Sequence, residues 1–163
     1  MKRSLLTIGS ILCIEIEGQY KRFFQYIARD VYMFGAPVIR VFKTCYSMDY
    51  EPFVEDILKD DIDFYAHCLI KIWEQSGLWY KVGNSKNIGD ISNIDFVMSN
   101  DLKIKPRRWW TWKIGQSEPI YLGYVRHNQL INFEYGSLLP ASEIIYRIKH
   151  GRYQGIYHDE WVG

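Results

Sequence analysis

Cysteine is scarce in this 163-residue chain, and the three present, Cys13, Cys45 and Cys68, are odd in number and far apart. Each lies in or beside an apolar run, so they read as small buried hydrophobes in a reducing compartment and not as a disulfide framework. A bias toward one charge is missing too. Twenty basic against 19 acidic residues leave a net charge of +1, which gives no overall attraction to nucleic acid or anionic lipid. No apolar run approaches the ~18 residues that a membrane-crossing helix needs. Lys2-Arg3 followed by Leu5, Leu6, Ile8, Ile11 and Leu12 imitates a secretion signal. However, Leu12 precedes Cys13 where a cleavage site wants small residues, and Ile14-Glu15-Ile16-Glu17 continues as an alternating strand. A cytoplasmic protein is expected.

Reaction motifs are equally sparse. His67, His127, His150 and His158 have no neighbours at metal-ligand spacing, and no Cys-x-x-Cys or His-x-x-x-His is present. The chain has no Gly-x-Ser-x-Gly elbow, no Gly-x-x-x-x-Gly-Lys phosphate loop and no Gly-x-Gly-x-x-Gly turn. No catalytic residue, metal or cofactor is therefore assigned. His67, between Ala66 and Cys68, reads as a hydrogen-bonded histidine on a sheet. An enzyme would have to bring it to a carboxylate or a cysteine in a cleft. Glu15 and Glu17 could pair as carboxylates, but such residues more often meet water or a cross-strand cation.

What the chain does have is aromatic and β-branched residues, with Phe, Trp and Tyr at 27 positions, and these fit a pleated, half-buried surface. Ser10–Glu17 and Tyr20–Ile27 flank Gly18-Gln19 and predict a hairpin. Pro37–Lys43, Asp63–Ile70, Leu78–Val82, Asp95–Met98, Trp109–Ile114 and Ile120–Val125 supply six further strands, and Ser85–Asn93 has the composition of a surface loop. A C-terminal helix is predicted over about 140–150, with Pro140 in its first turn and Gly151 ending it, and a short one near 52–59 behind Pro52. The expected fold is mainly β within an α+β class. It is a single domain, 1–163, built on a strongly bent antiparallel sheet or a small barrel with the helix over an open end or edge.

Two charge clusters stand out. Asp49–Asp63 carries seven acids against Lys59. It reads as a solvated face or as a surface that docks a basic partner through Glu55, Asp56, Asp60, Asp61 and Asp63. Lys103–Lys113 carries five cations and no acid, interleaved with tryptophans. It reads as a core strand, with Trp110 and Trp112 inward and Trp109 and Thr111 outward. The alternative is a nucleic-acid surface through Lys103, Lys105, Arg107, Arg108 and Trp109. A third possibility is that the two clusters neutralise each other within one molecule.

The order of several signals resembles a known family. Ile8-Gly9-Ser10-Ile11, the turn Gly18-Gln19-Tyr20, Phe24–Ile27, Val38–Phe42, Asp63–His67 and Gly77-Leu78-Trp79-Tyr80-Lys81-Val82-Gly83-Asn84 together resemble the immunity protein 26 family of bacterial polymorphic toxin systems. The resemblance covers roughly residues 8–84, and Phe24 stands where members often carry Gly before the Gln of the second strand. It implies a non-enzymatic cytoplasmic protein that neutralises a cognate toxin domain by stoichiometric association. The rival expectation is a nucleic-acid or small-ligand binding module.

Overall fold

The computed structural model describes residues 5–101, 107–125 and 129–154. Its first hairpin joins β1 (Ser10–Ile16) to β2 (Tyr20–Asp30), with Ile16 opposite Tyr20. Glu17 and Gly18 both take positive φ, 52° and 67°, and Gln19 N donates to Ile16 O, so the turn's twist matches that of the strands it joins. A second hairpin runs from β2 through residues 31–35 into β3 (Ala36–Phe42). The short β4 (Tyr46–Ser47) pairs with the start of β2.

Helix α1 (Val54–Leu58) follows Pro52 as expected, but only Ile57 is buried and Phe53 stands 76% exposed. Strand β5 (Ile62–Cys68) stops two residues before the predicted end, because the chain turns at Leu69 into an unpredicted helix, α2 (Ile70–Gln75). The indole of Trp79, which opens β6 (Trp79–Asn84), donates to Ile70 O at 2.9 Å and fixes that turn. Strands β7 (Asp95–Met98), β8 (Arg108–Lys113) and β9 (Ile120–Tyr124) form an antiparallel meander. Two short strands, β10 (Glu134–Tyr135) and β11 (Leu138–Leu139), precede α3 (Ala141–His150), which ends at Gly151 with φ 73°.

The larger sheet has the order β11-β5-β3-β2-β1-β6, and the smaller β10-β7-β8-β9. Neither closes, so of the two expected architectures the bent sheet forms and the barrel does not. The sheet is mixed: β10 runs parallel to β7 and β11 parallel to β5. One stretch, 134–139, thereby stitches the two sheets together. Gly136 sits at the crossing, its N bonded to Val97 O and its Cα too close to Trp112 to admit a side chain.

Both faces of the larger sheet are covered. Leu12, Phe24, Val41 and Phe64 face α3 and the smaller sheet, and Phe24 meets Trp79 edge to face at 5.0 Å. On the opposite face Ile11, Cys13, Phe23 and Phe42 pack under α1, while Ile27, Ala28 and Val38 pack under Phe96 and Trp112. Between those two apolar zones lies a polar strip. Arg40 donates to Gln25 Oε1 at 2.9 Å and to Asn87 O at 2.8 Å, and Gln25 donates to Gly9 O and Ser85 O. The 85–93 segment is thus a loop, as its composition requires, strapped to the sheet by buried side chains.

Candidate partner-binding groove

The second hairpin builds one side of a surface groove. Val31-Tyr32-Met33-Phe34 occupies the tip between β2 and β3, where turn chemistry ordinarily calls for polar residues. Phe34 adopts φ 56°, a conformation that L residues other than Asn and Asp rarely take, and its side chain is fully exposed. The tip is firmly bonded all the same: Gly35 N donates to Asp30 O at 2.8 Å and Ala36 N to Met33 O at 3.0 Å.

Beside Phe34 lies a groove of about 510 Å³, walled by Leu6, Tyr26, Met33, Leu69, Ile70 and Leu138. Among the described residues the two charged ones that line it, Arg29 and Lys71, are both cationic. Arg29 Nη1 donates to Gly35 O at 3.3 Å, which holds the guanidinium at the rim. Tyr26 lines the groove, and burial pushes its hydroxyl's pKa up. Val31, Leu69, Ile72 and Leu138 remain substantially exposed around the groove, a clustering of apolar surface that marks interaction sites.

The sequence-predicted residues are dispersed by comparison. Asp60 accepts from Thr44 N at 2.7 Å and Thr44 Oγ1 at 2.8 Å, closing the approach to β5. Asp63 pairs at 2.7 Å with Arg22, whose Nε is bonded to Phe42 O. Asp56 lies 3.8 Å from Lys59, and Glu55 and Asp61 are exposed. Lys103 and Lys105 lie outside the described residues. Arg108 is committed to Asp101 and Lys113 to Asp95, so these two cations do not neutralise the 49–63 cluster.

Trp109, expected to face outward, is 1% exposed and belongs to the main core. Trp110 and Trp112 do share a face, as strand periodicity demands. The smaller sheet, however, is covered on both sides, with Trp112 and Phe96 facing one apolar zone and Trp109 and Val97 the other. His67 is a sheet histidine bonded to Asp30. Glu15 accepts from the Tyr80 hydroxyl at 3.2 Å and Glu17 from Lys149, so neither carboxylate of that pair faces the other.

Among the described residues no three His, Cys, Asp or Glu side chains are grouped to hold a metal ion, and no helix is long and apolar enough to cross a membrane. The groove was missed in sequence because its walls come from four separated stretches. The one available signal was four apolar residues at a hairpin tip. Comparison with protein-family models, curated proteins and solved structures finds no match for this chain.

Proposed function

We propose that this protein is an immunity protein that neutralises a cognate toxin domain by stoichiometric, non-catalytic association, and that Phe34 with its adjoining groove is the contact surface. The observation that carries the reading is a fully exposed aromatic, held at positive φ on a rigid hairpin, beside an apolar groove. Interfaces concentrate their energy in a few aromatic or charged anchors set in desolvated pockets. A folded monomer gains nothing from Phe34 in water. Strain retained at an exposed site is instead compatible with a role in recognition.

With Arg29 and Lys71 at the rim and no acid among the described lining residues, the groove suits a toxin segment that presents apolar side chains flanked by carboxylates. The exposed Glu55 and Asp56 on α1, with Asp61 ahead of β5, lie outside the groove and would act through long-range attraction of a basic region of the same toxin. The resemblance over residues 8–84 supports the class. The nucleic-acid alternative retains less support, because Trp109 is in the core and Arg108 is committed to Asp101.

Co-expression with the toxin domain encoded beside it tests the reading. Protection and co-purification at one-to-one stoichiometry are expected, and continued killing despite abundant soluble protein would overturn it. Phe34→Asp should weaken the complex about 30-fold or more, the loss typical of a central anchor.

A further inference from the structure

Asp30, His67 and Trp112 are absent from the described lining of the groove, yet they fix what stands beside it. Asp30 closes β2 and is sealed from solvent. Its main-chain O accepts Gly35 N at 2.8 Å, and its Oδ1 accepts Tyr32 N at 3.1 Å. Its Oδ2 is held from the two sheets, by His67 Nε2 and Trp112 Nε1 at 2.7 Å each. The Tyr32 ring also lies 4.6 Å from that of Trp112. The chain is thus tied to one buried residue on both sides of Phe34, at Tyr32 before it and at Gly35 after it, and Phe34 lies between them at φ 56°.

We infer that Asp30 is a positioning residue for recognition: it holds the Phe34 hairpin in the conformation that the toxin meets, without itself lining the groove. This role rests on the reading of Phe34 as the anchor. A carboxylate is needed because both oxygens must accept. An asparagine there has one acceptor for two faces. The Trp112 indole only donates, so the amide oxygen must stay on that side, and the NH2 group then confronts the Tyr32 N–H. The sheets keep their bond and the hairpin loses its own. Rigid presentation raises affinity by removing the cost of ordering a loop on binding. A partner docks only on the fraction of molecules already in the competent conformation.

Nitrogen-15 relaxation of the whole chain, without toxin, is the first test. Backbone order parameters at residues 32–35 should be about 0.85 in the wild type and fall to about 0.6 or below in Asp30→Asn, with β2 and β5 unchanged. Ile57→Ala, which opens a cavity under α1, should lower stability and leave the hairpin rigid. Should Asp30→Asn fail to fold, Trp112→Phe takes its place: it keeps the carboxylate and the Tyr32 bond, so it should cost stability without loosening the hairpin. With the toxin domain, Asp30→Asn should slow association about ten-fold and leave dissociation nearly unchanged, whereas Phe34→Ala should speed dissociation. The role is overturned by a hairpin already mobile in the wild type, or by one that stays rigid in Asp30→Asn or loosens in Ile57→Ala or Trp112→Phe. It is overturned as well by an association rate indifferent to Asp30→Asn in a complex that needs Phe34. A wild type that binds no toxin would instead overturn the toxin reading, and the order parameters would still decide the place of Asp30.

Discussion

Asp30 Oδ2 and His67 Nε2 meet at 2.7 Å with both side chains sealed from solvent. The same carboxylate oxygen accepts the Trp112 indole at 2.7 Å, and the other accepts Tyr32 N at 3.1 Å. One residue at the end of β2 thus joins β5, β8 and the hairpin that carries Phe34. Among the described residues His67 Nδ1 has no partner, and the ring lies 4.3 Å from that of Phe96, so Asp30 and packing hold the imidazole.

Asp30→Ala is expected to destabilise the fold by about 3 to 5 kcal/mol, because it leaves the His67 and Trp112 donors buried without an acceptor. Urea denaturation followed by tryptophan fluorescence measures it. His67→Ala should cost less, since Trp112 and Tyr32 still satisfy the carboxylate. If the two variants were equally mild, the cluster would not be holding the sheets together.

Gly136 fixes the crossing between the sheets for a steric reason. A Cβ there would stand 2.1 Å from Trp112 Cη2 and 3.1 Å from Phe96 Cβ, and Trp112 is itself held by Asp30. Gly136→Ala should cost about 1 to 3 kcal/mol by overpacking and should perturb the near-ultraviolet circular dichroism of Trp112. An unchanged spectrum with unchanged stability would mean that the ring moves freely.

How much of this was legible in the sequence follows from the range of each interaction. The first hairpin, the third strand, the meander and α3 are set by local alternation, turn residues and a terminal Gly, all readable from neighbours. Helix α2 was hidden because its six residues are too few to show a helical period and its start is fixed by Trp79, nine positions on from Ile70. Strands β10 and β11 are two residues each and exist only through parallel pairing with distant partners. Trp109 was turned the wrong way because alternation assigns one face to the core, whereas the smaller sheet buries both. Among the acids, composition gives the charge of Asp60 and Asp63, but only the fold supplies Thr44 and Arg22 as their partners.

The three thiols should separate cleanly under alkylation. Cys45 is exposed, while Cys13 and Cys68 are buried, and burial pushes the Cys68 thiol up to about 12. At pH 8 only about one Cys68 in ten thousand is then ionised. Burial raises Cys13 as well. Mass spectrometry after brief exposure to iodoacetamide should find Cys45 modified first, Cys13 later and Cys68 only after unfolding. Early labelling of Cys68 in the native protein would contradict its place in the core.

Asp101 is bonded to Arg108, the first residue of β8, and the pH dependence of the pair has a definite sign. Arg108 Nε, Nη2 and backbone N donate to the carboxylate at 2.9, 2.8 and 2.8 Å. Those bonds bring the Asp101 pKa down from 3.8 to about 2. A carboxyl depressed in the folded state contributes stability that is fully present above its unfolded pKa and is lost as pH falls through the folded one. The difference in thermal midpoint between the wild type and Asp101→Asn should therefore hold constant above about pH 5, narrow below the ordinary carboxylate range and vanish near pH 2. Carbon-13 titration of the Asp101 carboxyl gives the same quantity directly. A midpoint near 3.8 would show that Arg108 leaves the group in water.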